Sequence, residues 1–415
     1  MKRRAVWMIL LALLLLPALG QAETRLMVVS DLHYLAKELY QGSELFLRAL
    51  RAGDGKISQY GEELMDALEA EALHQRPDAL IVTGDLSFNG EKASHEALAE
   101  RFARIEAGGT PVYVIPGNHD INVLSSVAYE ENAWRYTKSV TEEEFASIYR
   151  DYMCPAEGEG ANLSYHVALS DRLWLALADV AYYQGSAQVF GLFTPAHRDW
   201  LELVLRDANA AGAQVITCTH HSLVAHTSFS RESFLMLNDT VMADLLRSHG
   251  AKLNLSGHLH IQHIAASEGL YDAATGAFCM SPHRYALVTA AEDGTITYEA
   301  RQLCDEHLPD GFQEMSRAWF ADITTEKNRA ALADQMIPPE ALQDMLDFSA
   351  RFNAAYFSGV YRSADPAWRQ DPGYMAWMEY GENTFGAYLK LVMDEPSGEN
   401  LYLEIKPSTS TDEST

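Results

Sequence analysis

Five short motifs, strung along the chain in a fixed order, constrain its fold more than any other feature. They are Asp31-Leu32-His33, Gly84-Asp85, Gly117-Asn118-His119-Asp120, Thr219-His220-His221 and Gly257-His258-Leu259-His260. Each follows a run of apolar, β-prone residues. Side chains at the C-terminal ends of several strands can converge on one point above a sheet. A fold that serves these motifs must bring five strand ends together. The donors they offer are too many for one metal ion and suit two.

Between the motifs, strand and helix signals alternate. Residues 25–30, 78–83 and 111–115 read as buried strands, with helical periodicity at 60–74 and 91–106. Residues 163–169 and 173–179 read as a β-pair. Thr194-Pro195 opens a helix well, with Thr at the cap and Pro in the first turn. Residues 214–219 and 252–256 are further strands, and 239–249 a helix between them. Residues 285–290 and 295–300, joined across Asp293-Gly294, predict a hairpin. The pattern predicts a layered α/β domain with two sheets over residues 23–304.

The character changes after Cys304. Residues 312–320, 325–335, 339–357 and 383–393 have a helical period and carry no site chemistry. They predict a small helical C-terminal domain over 305–406, followed by a disordered Ser/Thr-rich tail at 407–415. Its aromatics, Trp319, Phe348, Phe352 and Trp377 among them, are most simply core, since small helical domains need bulk to bury enough area. A lid over the site is the alternative. The segment 34–60 is open to either reading, closing over a substrate or packing.

Residues 1–22 have the pattern of a signal peptide. Lys2, Arg3 and Arg4 precede a short apolar core, Pro17 breaks it, and small residues surround Ala22. No later segment is long and apolar enough to cross a membrane. The reading is an exported chain in the extracellular or cell-envelope space, without stable membrane insertion after cleavage. Loss of three basic residues with that segment takes the formal charge from −27 to −30. Such a surface excludes duplex nucleic acid as a regular partner, because phosphate binding needs clustered Lys and Arg. It leaves a small phosphate ester open, because bound dications reverse the local field. Of the four Cys, Cys218 reads as a buried thiol and Cys279–Cys304 as a conceivable bridge.

The motif residues suggest specific tasks. Asp31 and His33 alternate along an extended chain and can point the same way, as can His258 and His260. Asp85 follows a glycine and can bridge two cations, while Asn118 adds a neutral amide oxygen. Mixed imidazole and carboxylate ligation suits Mn, Fe or Zn rather than Ca or Mg. Two such ions roughly 3.5–4 Å apart clamp a phosphate ester and lower the pKa of a bridging water towards ~7, giving a hydroxide that attacks phosphorus. His119, next to Asn118, is assigned transition-state stabilisation and protonation of the leaving alkoxide. Asp120 is assigned the orientation of His119. Asn89, His221 and His226 are candidate substrate contacts. His74, His95, His197, His249 and His307 lie away from the motifs and read as solvated.

The ordered set of five motifs resembles the calcineurin-like metallophosphoesterases. The resemblance covers Asp31 to His260 and implies a four-layer α/β/β/α sandwich. It implies that Asp31, His33 and His260 hold one metal ion, that Asp85 bridges, and that Asn118, His220 and His258 hold the other. The stretches 84–92 and 114–120 look like the bacterial cyclic-nucleotide phosphodiesterase branch, closest to exported members with a C-terminal helical domain. Ser222 departs from that branch, where many members have Pro after the paired His.

The expectation is an exported dimetal phosphodiesterase acting on small phosphodiesters, 3′,5′-cyclic nucleotides foremost. The alternatives are a secreted phosphomonoesterase scavenging phosphate, and a non-catalytic cell-surface binding protein on an esterase fold. The complete ligand set argues against the last.

Overall fold

The computed structural model describes residues 23–153, 161–227, 234–395 and 398–407. The expected signal peptide at 1–22, Cys154 and the tail beyond Pro407 lie outside the described residues.

The chain opens on β1 (Thr24–Val29), α1 (Glu44–Ala52), α2 (Gly61–Gln75), β2 (Ala79–Thr83), α3 (Lys92–Ala107) and β3 (Val112–Ile115). A ribbon of β4 (Val127–Tyr129) and β5 (Trp134–Tyr136) follows, then α4 (Glu142–Ile148). Next come β6 (Tyr165–Ala168), β7 (Leu173–Leu177), α5 (Pro195–Ala211), β8 (Gln214–Cys218), α6 (Asp239–Ser248) and β9 (Leu253–Ser256). The strands β10 (His263–Ser267), β11 (Leu270–Ala274), β12 (Arg284–Ala290) and β13 (Ile296–Gln302) close this part. Five helices follow: α7 (Phe312–Ala331), α8 (Pro339–Phe357), α9 (Ala367–Gln370), α10 (Pro372–Tyr380) and α11 (Phe385–Asp394). The final strand is β14 (Tyr402–Ile405).

Two six-stranded sheets form, in the orders β14-β13-β12-β1-β2-β3 and β10-β11-β9-β8-β7-β6. β1, β2 and β3 are parallel, as are β7, β8, β9 and β11, so their C-terminal ends point the same way within each sheet. Alternation along the second sheet explains the layering. Leu175, Leu177, Ile216 and Cys218 face a core shared with β1 and β2. Ala176 and Val215 face the other way, against Leu201, Leu205, Met242 and Leu246 of α5 and α6. The α/β/β/α reading is therefore seen in which core each strand residue enters.

Local signals act as expected where they are strong. Thr194 caps α5, its hydroxyl accepting from the His197 N–H at 3.2 Å, with Pro195 in the first turn and left-handed Gly212 at the end. His197 reaches back to the Thr194 N–H at 3.1 Å and is fully buried. His95 is buried too, between the Tyr149 hydroxyl and the Asp120 carbonyl. Both were expected in solvent; their helices are amphipathic, and these two positions fall on the inner face.

The C-terminal expectation needs two corrections, and the cysteine pairing a third. Residues 312–331 form one helix, not two, because Phe320, Ile323 and Thr324 keep the buried face in phase through the middle. The region is also not wholly helical. β14 returns to pair antiparallel with β13, in the register Ile296↔Ile405, and covers what would be an open sheet edge. Finally, no Cys279–Cys304 bridge exists: Cys279 is buried beside the ligand loops, Cys304 is exposed, and both are free thiols. Among the described residues no helix is long and apolar enough to cross a membrane.

Two helical-region contacts bear on function. Ile261 and Leu259 pack into the core built by Trp377, Phe348 and Phe352. The loop 258–261 therefore alternates: two histidines on one side, two aliphatic anchors on the other. The aromatics are core, as expected.

Candidate metal centre

The loop after β1 carries Asp31 and His33, and the loop after β2 carries Gly84 and Asp85. Their backbones are cross-linked: Asp31 N–H donates to Gly84 C=O at 3.1 Å and His33 N–H to Asp85 C=O at 3.0 Å. Asp31, His33, Asp85, His258 and His260 all sit at positive φ, between 40° and 66°. This corrects the extended geometry expected for the two Xaa-Leu-His pairs. Left-handed backbone costs a non-glycine residue of order 1–3 kcal/mol and collects at functional sites.

Two donor clusters result. Ligand atoms of Asp31, His33, Asp85 and His260 lie within 4.8 Å of one another, and those of Asp85, His220 and His258 do the same. Asp85 belongs to both. Its Oδ2 is 3.6 Å from His33 Nε2 and 3.3 Å from His220 Nε2. His260 Nε2 is 3.4 Å from Asp31 Oδ1 and 3.1 Å from His33 Nε2. Asn118 Oδ1 joins the second cluster, 3.1 Å from His220 Nε2. Nitrogen ligands ~2.1 Å from a common ion sit about 3 Å apart, so this spacing fits a cation between them. The buried Nε2 of His258 has no hydrogen-bond partner among the described residues, as fits a ligand atom. The donor set therefore fits two transition-metal ions, and every expected ligand falls in one of the two clusters.

The ligand rings are held from behind. His220 Nδ1 donates to Thr83 C=O at 2.8 Å, which leaves Nε2 free to face the centre. His260 Nδ1 is 2.9 Å from Asp54 Oδ2, and Lys56 Nζ is 2.9 Å from the same oxygen. Gly84, at φ +91°, has no room for a side chain: a Cβ there would come within 2.5 Å of the His220 ring. A Cβ on Gly117 would meet the Asp85 carboxylate.

Charge follows this geometry. Burial opposes ionisation of Asp85, yet His220 and His119 hold it well below the usual carboxylate range. Burial likewise opposes charge on His220, but Asp85 lifts it to about 9. For His260, burial and Lys56 act against charge, while Asp31 and Asp54 raise it to about 9. Burial pushes His33 and His258 well below the ordinary imidazole value. These environments suit cation binding, because the same carboxylates that draw protons draw metal.

His119 faces the first cluster edge-on, its ring centroid 4.9 Å from that of His33. Its backbone N–H donates to Asp85 Oδ1 at 2.7 Å. Its Nδ1 donates to Asn89 Oδ1 at 2.9 Å and lies 3.1 Å from Phe88 C=O. The role expected of Asp120 is thus filled by Asn89. Asp120 instead accepts backbone N–H groups from Leu86, Ser87 and Gly117 at 3.1, 2.9 and 2.8 Å, stapling two motif loops together. Burial, reinforced by the Asp85 charge, pushes Asp120 up to about 7.

The other candidate contacts also change role. Asn89 orients a side chain of the centre rather than simply lining a pocket. His221 is buried, its Nε2 tied to Val189 C=O at 3.1 Å, and it packs behind the ring of His258 at 4.4 Å. His226 pairs with His263 at 3.0 Å and faces Asp272 at 3.6 Å, with no atom in either donor cluster. Asp54 and Lys56 were missed altogether. The segment 34–60 packs, with Phe46, Leu50 and Ile57 buried, and delivers this pair to the centre.

Residues 24–262 match the family described as calcineurin-like phosphoesterase, and residues 298–398 match the C-terminal domain of cyclic nucleotide phosphodiesterase. The chain is similar to the 3′,5′-cyclic adenosine monophosphate phosphodiesterase CpdA of Escherichia coli (strain K12), at 25% identity over 73% of this chain and 98% of that protein. Among solved structures it is similar to a dimetal phosphatase from Danio rerio, at 15% identity and a TM-score of 0.50, covering 68% of this chain and 96% of that one. That likeness speaks to the fold.

Proposed function

The chain belongs to the calcineurin-like phosphoesterase family and is a metal-dependent phosphoric ester hydrolase, and we propose that it is an exported enzyme cleaving small phosphodiesters, 3′,5′-cyclic nucleotides foremost. The observation that carries this reading is the sharing of Asp85 Oδ2 between two nitrogen-lined donor clusters. The match of residues 298–398 and the likeness to a cyclic-nucleotide enzyme favour the diester. The pattern of residues 1–22 supports export, and the mixed donors favour Mn, Fe or Zn.

Asp31, His33 and His260 would hold one ion, Asn118, His220 and His258 the other, with Asp85 between them. Two such ions supply Lewis-acid polarisation of the phosphate and a water acidic enough to act near neutral pH. The remaining work falls to the chain. His119 keeps its Nδ1 proton on Asn89, so Nε2 is the atom that exchanges a proton with the leaving oxygen. Asp54 fixes the ring of His260, and Lys56 keeps Asp54 ionised beside it.

The test is a paired assay on Mn-loaded residues 23–415. One arm uses bis-p-nitrophenyl phosphate and cyclic AMP, the other p-nitrophenyl phosphate, with Asn118→Ala as control. Diester turnover should dominate, vanish on chelation and return with metal. Dominant monoester turnover would overturn the diester reading and place the chain among phosphate-scavenging monoesterases.

A further inference from the structure

Beside Asn89, the partner of His119, lies a cavity of about 550 Å³, lined by Asn89, Leu124, Ser125, Val127, Tyr129, Trp134 and Tyr136, with Leu45 and Ala49 of α1 behind them. Its main wall is the β4–β5 ribbon, which stands apart from both large sheets. The register pairs Val127 with Tyr136 and Tyr129 with Trp134. Cross-strand partners, and residues two apart, share a face. One face of the ribbon therefore carries an aliphatic-aromatic pair and an aromatic-aromatic pair side by side.

The outer part of that face, around Trp134 and Tyr136, is not covered by the described residues. Trp134 is 54% exposed, Tyr136 70% and Leu124 76%. The Trp134 and Tyr136 rings meet edge to face at 5.1 Å. The ribbon is nevertheless held firmly against the centre. The Ser126 hydroxyl donates to Asn89 C=O, the Ser43 hydroxyl to Glu130 C=O at 2.6 Å, and the Tyr129 ring packs on buried Phe46 at 5.0 Å. Asn89 is at once a wall of the cavity and the partner of His119 Nδ1. Asn89 thus links the cavity to the metal centre through His119.

We propose that this cavity is the subsite for the nucleobase of the substrate, whose ring stacks on one of Trp134 and Tyr136 and meets the other edge-on, while its phosphate lies at the metal centre. The proposal rests on the phosphoesterase reading above. Exposed aromatic faces accept any base, since stacking uses a π-surface that every base has. A cavity of this size suits a small organic ligand. The cavity's polar groups are few: the hydroxyls of Ser125, Tyr129 and Tyr136, and Asn89, whose side-chain oxygen is already committed to His119. Discrimination should therefore favour an aromatic ring over none, rather than one base over another.

The test compares cyclic AMP with the abasic ribose 3′,5′-cyclic phosphate, and AMP with ribose 5-phosphate, on the metal-loaded enzyme. The wild type should prefer the base-bearing member. Trp134→Ala with Tyr136→Ala should cut that ratio of kcat/KM about tenfold to a hundredfold, mainly through KM. Trp134→Phe should keep most of it. Leu124→Glu, on the exposed rim, gives a second variant should the pair fail to fold. Inert diesters with active monoesters would sink the phosphodiesterase reading while the subsite is still scored on AMP. Calorimetric binding of AMP scores it without turnover. An unchanged ratio, or unchanged AMP affinity in the double variant, overturns the subsite.

Discussion

The indole N–H of Trp319 donates to the carbonyl of Lys56 at 3.2 Å, across 263 residues of chain. The next residue, Phe320, packs so closely on Gly55 that a Cβ there would lie 2.5 Å from its ring. Helix α7 thus clamps the turn that brings Asp54 and Lys56 to His260, while Leu259 and Ile261 anchor the neighbouring ligand loop in the helical core. The helical region is a buttress for the metal centre, and β14 ties it into the first sheet.

Trp319→Phe keeps an aromatic ring under the Arg51 guanidinium and removes the donor. The loss of one hydrogen bond should cost about 1 kcal/mol of stability. If α7 buttresses the centre, metal retention should weaken several-fold as well, while kcat at saturating metal stays near wild type. Melting curves and metal titration separate the two effects. Lower stability with unaltered metal affinity would make the contact merely structural.

Asp54→Ala removes the oxygen that orients His260 Nδ1. Partners of this kind typically contribute ten- to a hundredfold in metal affinity or activity. The expected result is loss of one of two ions at limiting metal, since His220 keeps its own carbonyl partner, Thr83. Elemental analysis after dialysis gives the stoichiometry; retention of both ions would remove Asp54 from this role.

Asn89→Ala and Asp120→Asn should fail in different ways. Without Asn89, His119 loses a side-chain anchor and kcat should fall about tenfold to a hundredfold with metal content and melting temperature little changed. An Asn at 120 turns an NH₂ group towards N–H donors that now point at a carboxylate, leaving at least one of them unpaired. Each such group costs about 1–3 kcal/mol, so stability should drop first. Equal thermal loss in the two variants would contradict this division of labour.

Much of the candidate centre was legible in the sequence, because seven donor residues of restricted type recur after strands, and the fold gathers them into two clusters. What the residues concealed has physical reasons. The left-handed backbone at Asp31 and His33 leaves no mark in composition, so an extended spacing gave the right pairing by the wrong geometry. Asp54 meets His260 across 206 residues, and nothing in a turn of Gly, Asp and Lys distinguishes a ligand's partner from solvent-facing charge. Adjacency misled at Asp120: it follows His119 in the chain but its carboxylate turns to the backbone of 86, 87 and 117. The β4–β5 ribbon, with three-residue strands, is too short to show a period.

The pH dependence of stability should be set in part by Glu91. Its side chain is fully buried at the start of α3, Oε2 accepting the Asn89 N–H at 2.8 Å while Oε1 has no hydrogen-bond partner among the described residues. Burial pushes it from an ordinary 4.5 up to about 8, against the pull of the Asn89 N–H. Between those values the native protein holds a proton that the unfolded chain has released. Stability must then fall as pH rises through that window, by up to about 1.4 kcal/mol per pH unit for this one group, and level off above it. Glu91→Gln mimics the protonated form and removes the penalty. The variant and wild type should melt alike at pH 4.5, with the variant gaining steadily up to pH 8 and holding a constant lead beyond. Melting curves of the metal-loaded protein across that range decide it. A variant no more stable at pH 8.5 than wild type would mean that Glu91 is already ionised at neutral pH, with its charge accommodated by the Asn89 N–H and the N-terminus of α3.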